Sequence, residues 1–159
     1  MNNQRIVLAS RPTTAPSAEN FRLEEVALAP LDDGQVRIKN AYLSLDPYMR
    51  GRMSDAKSYA QPQPLNETMI GGTVGEVVES RNPAFAVGDQ VVGMGGWQLY
   101  STATGRGDIR KVDTTHIPLS AYLGVVGMPG MTAWYGLNKI CEPKAGEAVC
   151  VDVASGAVG

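Results

Sequence analysis

Histidine occurs once in this chain and cysteine twice. Protein zinc sites need three or four nitrogen, sulfur or carboxylate ligands at close spacing. Here His116 stands in the polar run Thr114-Thr115-His116, and Cys141 and Cys150 are nine residues apart with no histidine near them. A bound metal is therefore not expected. Two cysteines do not make a disulfide framework either. Basic charge is also lacking: 14 Lys and Arg stand against 16 Asp and Glu, for a net charge of −2. Without a basic patch to neutralise phosphates, nucleic-acid binding is discounted. No apolar run is long enough to cross a bilayer, because the stretch 121–135 is broken by Gly124, Gly127, Pro129 and Gly130. The start, Met1-Asn2-Asn3-Gln4-Arg5, lacks the pattern of a secretory signal, so a cytoplasmic location is expected. No nucleophile–base arrangement supports a hydrolase, and no internal repeat or low-complexity segment stands out.

What the chain does have is glycine, 18 residues of it, with ten prolines spread among β-branched runs. They punctuate short strands. Strands are expected at 5–9, 21–28, 35–45, 73–79, 90–94, 97–102 and 109–112. Polar turns fall at 12–20, Asp32-Asp33-Gly34 and Gly88-Asp89. Within 35–45, Val36 and Ile38 alternate with Arg37 and Lys39, the period of a half-buried strand. Many short strands with closely spaced turns indicate a mainly β domain, a barrel or sandwich.

The grammar changes near residue 119. A short helix is expected at 120–124 and a second at 131–140, separated by Pro129-Gly130. A turn at 143–147 then feeds an apolar strand at 148–153, which runs into Ala154-Ser155-Gly156-Ala157-Val158-Gly159. Strand and glycine turn open a dinucleotide-binding α/β unit, with alanine in place of the first glycine of the fingerprint. Gly156 would let the backbone approach a pyrophosphate, and Gly159 would let a following helix pack on the strand. Small residues after a strand also mark ordinary turns. The domain boundary is placed at residue 128, giving 1–128 and 129–159.

Two further segments carry candidate chemistry. In Leu43-Ser44-Leu45-Asp46-Pro47-Tyr48-Met49-Arg50-Gly51-Arg52-Met53, a strand gives way to a turn or short helix that Asp46 can cap while Tyr48 presents a hydroxyl. Equally, Tyr48 and Met49 can be core and Arg50 the partner of a nearby acid. In Gly127-Met128-Pro129-Gly130-Met131-Thr132-Ala133-Trp134-Tyr135, two methionines and a hydroxyl can line a pocket for a flat ring, or the segment can be a hinge with a packed helix.

Together these segments resemble the zinc-independent medium-chain dehydrogenases/reductases, in the NADPH-dependent alkenal and enone (double-bond) reductase branch, above all its bacterial curcumin-reductase-like group. Leu45-Asp46-Pro47-Tyr48-Met49-Arg50 carries the branch's hallmark, while Met128 to Thr132, the terminal glycine turn and Gly88-Asp89-Gln90-Val91 fall where the family has them. The resemblance implies a GroES-like β-barrel on the substrate side, followed by the first helix and strand of a Rossmann domain that continues past residue 159. It implies substrate contacts at Tyr48 and Tyr59. Met128 and Thr132 would lie near the nicotinamide of NADPH, and Gly156, Ala157, Val158 and Gly159 at its pyrophosphate. Ser44-Leu45-Asp46 stands where zinc-bearing relatives place a Cys-His ligand stretch.

The reaction so implied is hydride addition to the C=C bond of an α,β-unsaturated ketone or aldehyde, without zinc, in a homodimeric parent with a small-molecule partner and neither membrane nor nucleic acid. Tyr48 is the candidate for orienting the substrate; no catalytic residue is assigned within the chain. A quinone oxidoreductase of the same superfamily is the alternative. For the 159 residues alone the expectation is an isolated, non-catalytic domain.

Overall fold

The computed structural model describes residues 2–159. Seven strands run in the order β1 (Asn2–Leu8), β2 (Phe21–Ala27), β3 (Val36–Leu43), β4 (Thr73–Ser80), β5 (Gln90–Gly93), β6 (Tyr100–Ala103) and β7 (Ile109–Lys111). Each expected strand of the first 112 residues is present, shifted by a few residues at its ends. Five of them form one antiparallel sheet in the order β6-β3-β4-β5-β7, while β1 and β2 pair as a separate ribbon. The sheet is curled, and because no ladder joins β6 to β7 among the described residues it is a half-barrel.

Two apolar clusters hold this arrangement. Val36, Ile38, Val77, Phe85, Val91, Ala103 and Ile109 form the first, drawn mostly from the five-stranded sheet. Leu8, Met49, Met53 and Met69 form the second cluster, with Phe21, Tyr48, Ile70 and Trp97 packed against it. Phe21 stacks on Trp97 with ring centroids 5.4 Å apart. The ribbon is fastened to the sheet by main chain: Ile6 donates to the Trp97 carbonyl and Met69 to the Ile6 carbonyl, both at 2.8 Å. Asn3, buried, closes the same seam, accepting from the Tyr100 amide at 2.9 Å and donating to its carbonyl at 3.0 Å.

The turns follow their chemistry. Gly34 and Gly88 hold φ of +83° and +94°, which side-chain-bearing residues rarely adopt. At the second turn the Asp89 carboxylate accepts from the Ala86 amide at 2.8 Å and pairs with Lys111 at 2.7 Å, clamping β5 to β7. These two partners, Lys111 first, hold the Asp89 carboxyl below its ordinary value.

Three sequence expectations need correction. Arg37 does not face solvent in alternation with Ile38; it is 6% exposed. Its two terminal nitrogens donate to Thr102 Oγ1 at 2.6 Å and to the Ala29 carbonyl, so the loop before β3 folds over it, while its Nε lies 4.0 Å from the Glu79 carboxylate. The break between the two late helices lies at 124–127, not at Pro129-Gly130. After a 3-10 turn at Leu119–Leu123, helix α2 spans Met128–Tyr135 with Pro129 in its first turn, where a missing N–H costs no hydrogen bond. A π-helical segment, Gly136–Cys141, follows and ends at Glu142 with φ +47°.

Last, the strand expected at 148–153 is absent. The segment is exposed throughout and passes through turns, with Val153 at φ +53°. Its composition is that of an interior parallel strand, but a strand obtains its hydrogen bonds only from neighbours. Among the described residues none is placed beside it. The apolar pattern is there and the partner is missing.

Candidate functional site

The site is built where β3 hands over to a helix of five residues, α1 (Tyr48–Arg52). The Ser44 amide donates to the Gly72 carbonyl at 2.9 Å, which ends β3 against the entry to β4. Pro47, with φ −55°, turns the chain, and the Met49 amide returns to the Asp46 carbonyl at 3.1 Å. The Asp46 side chain does not cap α1, as expected from sequence. It accepts instead from Ser44 Oγ at 2.9 Å, because a helix starting at Pro47 leaves the carboxylate nearer the strand end than the helix amides.

On α1 neighbouring side chains have opposite duties. Met49, 3% exposed, and Met53 enter the second core cluster. Tyr48 is half-buried and lines an open cleft. Among the described residues Arg50 pairs with no acid, and it donates to the Thr14 carbonyl at 2.7 Å. Arg11 braces the far end, donating to the carbonyls of Met53 at 3.0 Å and Gln63 at 3.1 Å. The helix is thus pinned from below and from both ends, and Tyr48 inherits that rigidity.

The cleft measures about 590 Å³ and its wall is mainly apolar. Tyr48, Asp46 and Ser44 form one side; Val92, Met94, Ile109, Tyr122, Leu123 and Met128 form much of the rest. Such a volume suits a medium-sized apolar ligand. Burial, the largest influence, pushes the Tyr48 phenol above its ordinary pKa, and the Asp46 carboxylate adds to the rise. The Arg52 guanidinium and a hydrogen bond from the Gly72 backbone pull the other way, with a further small rise from Tyr59. Tyr48 is therefore a protonated hydroxyl at neutral pH, available as a donor.

Sequence-derived candidates divide between those in the cleft and those outside it. Tyr48 and Met128, 80 positions apart in sequence, share its wall. Tyr59 does not line it and is 91% exposed, although its phenol still bears on that of Tyr48. Thr132 lies one helical turn beyond Met128 and uses its hydroxyl on the Met128 carbonyl at 2.7 Å. Gly156, Ala157, Val158 and Gly159 lie in exposed turns away from the cleft lining, and the Gly156 amide donates to the Val153 carbonyl at 2.7 Å.

Met94, Ile109, Arg110 and Tyr122 join the wall without having been singled out from sequence. The strand Ile109–Lys111 is too short for a period that would have marked Ile109 or Arg110. Among the described residues no three His, Cys, Asp or Glu side chains gather into a cluster able to hold a metal ion, and no helix is long and apolar enough to cross a membrane.

Residues 4–112 match the family described as the N-terminal domain of oxidoreductase, and the chain belongs to it. It is 52% identical over 157 residues to the NADPH-dependent curcumin reductase of Escherichia coli (strain K12), covering 99% of this chain and 45% of that protein. It is 40% identical over 163 residues to the NADP(+)-dependent 2-alkenal reductase of Nicotiana tabacum, covering 100% and 48%. The crystal structure of CurA from Vibrio vulnificus in complex with NADPH superposes with a TM-score of 0.89 at 49% identity, over 98% of this chain and 46% of that one. The resemblance drawn from Asp46 to Arg50, Met128 to Thr132 and the glycine turn is borne out. The chain spans about half the length of the curated relatives it matches.

Proposed function

We propose that the whole protein reduces the C=C bond of α,β-unsaturated ketones and aldehydes with NADPH and without zinc. The observation that carries the reading is the cleft joining Tyr48 to Met128 in a chain 52% identical to a curcumin reductase. In this reading NADPH supplies the hydride to the β-carbon. The residues of the cleft do the rest. Tyr48, protonated and held by α1, donates toward the carbonyl oxygen on which negative charge develops. The apolar wall of Val92, Met94, Ile109 and Leu123 excludes water and takes the carbon skeleton. Tyr59, exposed outside the cleft lining, is read as a contact only for substrates that reach beyond the cleft.

The fit of the coenzyme divides along the chain. Met128 on the cleft wall suits the face of a nicotinamide ring, with Thr132 behind it. Residues 129–159 are read as the start of the coenzyme domain. There Gly156, Ala157, Val158 and Gly159 would take the pyrophosphate once a neighbouring strand and a following helix order them. Ser44 and Asp46, bonded to each other at 2.9 Å, stand at the β3 end without a thiol or imidazole beside them, which supports chemistry without zinc. The whole protein is read as a cytoplasmic homodimer acting on small molecules.

The test is turnover by the whole protein, followed by loss of NADPH absorbance, with a long-chain enone and a quinone offered in parallel. Enone consumption is expected. Turnover of the quinone alone would replace this reading with a quinone reductase.

A further inference from the structure

We infer that Arg110 forms an anion-accepting subsite in this cleft, so that the enone substrates the protein prefers carry a carboxylate. The inference rests on the proposed enone reduction and deepens it. Three charged side chains line the cleft: Asp46, Asp108 and Arg110. Two of them are already engaged. Asp46 accepts from Ser44 Oγ at 2.9 Å. Asp108 accepts from the Thr104 amide at 2.7 Å and from its hydroxyl at 3.1 Å, closing the loop before β7.

Arg110 differs from both. Among the described residues no carboxylate lies within 4.0 Å of its guanidinium and no side-chain hydrogen bond uses it. Yet it is not loose. Its guanidinium lies 5.6 Å from the centroid of the Tyr122 ring, a cation–π distance. Tyr122 is itself fixed, since its hydroxyl donates to the Asp113 carbonyl at 2.5 Å. Stacking on a ring occupies the face of a guanidinium and leaves its edge donors free, the edge that grips a carboxylate two-pronged. The neighbouring wall is apolar, with Ile109, Leu123 and Met94. An unpaired cation on a fixed platform beside an apolar channel is complementary to a carbon chain ending in an acid.

The discriminating pair is a medium-chain enone with a terminal carboxylate and its methyl ester, which differ in charge and hardly in shape. Binding to the whole protein is measured by calorimetry, and turnover by NADPH loss, for the native protein, R110Q and R110K. An exposed ion pair of this kind is worth up to roughly fivefold in affinity. The native protein is expected to favour the acid over the ester by about that factor in both Kd and KM. In R110Q the ratio falls to about one, and in R110K it is partly kept. A native ratio at or below one, or a ratio unchanged in R110Q, overturns the subsite. A binding preference for the acid without turnover of either compound sinks the enone reductase and leaves the subsite standing. Turnover of both at equal efficiency does the reverse, and binding of neither ends both.

Discussion

The sheet region and the segment from residue 128 onward have similar appetites for burial and opposite outcomes. Among the described residues all fourteen apolar core residues fall between Val7 and Ile109. From Met128 onward none is buried, and Met131, Trp134, Tyr135, Ile140, Val151 and Val153 are each more than half exposed. Composition does not explain the contrast, for both stretches are rich in valine and methionine. Partners do. Each strand between β1 and β7 finds a neighbour within the same 112 residues, so its backbone and one side-chain face are satisfied locally. The later segment carries residues patterned for a buried sheet and helix, and among the described residues no strand pairs with it. Folding propensity is thus a property of the segment, while order is a property of the segment with its neighbours.

The widest gap between the two regions is expected in coenzyme binding. NADPH titrated into the 159-residue chain should give no saturable signal at low-micromolar concentration, whereas the whole protein should saturate there, a difference of several kcal/mol. Comparable binding by both would mean that the exposed glycine turn is competent as it stands. Next comes stability. Leu8→Ala removes a fully buried side chain from the second cluster and should cost about 3 kcal/mol in urea unfolding. Val151→Ala should stay within about 0.5 kcal/mol. Equal costs would show that the late segment is packed after all.

Tyr48→Phe lies at the junction between core and cleft. It keeps the ring against the methionine cluster and deletes the donor, so enone kcat/KM in the whole protein should drop about tenfold, as for one lost hydrogen bond to developing charge, with little change in melting temperature. Unchanged turnover would remove Tyr48 from the orienting role. The smallest effect concerns the Asp89–Lys111 clamp. A carboxyl held below its ordinary pKa contributes stability above the unfolded-state value of about 3.9 and loses it as pH falls through the lower folded value. Asp89→Asn should therefore lower the melting temperature slightly above that pH and flatten the acid limb of its profile. An acid limb as steep as the native one would show that the clamp adds nothing.

Legibility in the sequence followed the same division. Strands β1 to β7 could be read because glycine turns and β-branched runs state a local preference that the sheet then honours. Arg37 was misread, since alternation cannot reveal a loop folding over a guanidinium at Ala29 and Thr102. The 148–153 strand was read from its apolar run, but such a run states a need for neighbours and cannot supply them. At the site, Tyr48 and Met128 could be singled out by motif. That they face one cleft depends on how β3, α1 and α2 converge, and so do the contributions of Met94, Arg110 and Tyr122. A lone arginine in a strand of three residues carries no signal until Tyr122 is seen beneath it.

The stacking of Trp97 on Phe21 has an optical consequence. The chain has two tryptophans, one in each region: Trp97 packed against the methionine cluster, and Trp134 on α2, 52% exposed with Lys139 above its ring. Their indoles should emit apart, the first toward the blue and shielded from aqueous quenchers, the second toward the red and open to them. A single emission spectrum, recorded with and without acrylamide, therefore reads the two halves of the molecule as separate channels without any label.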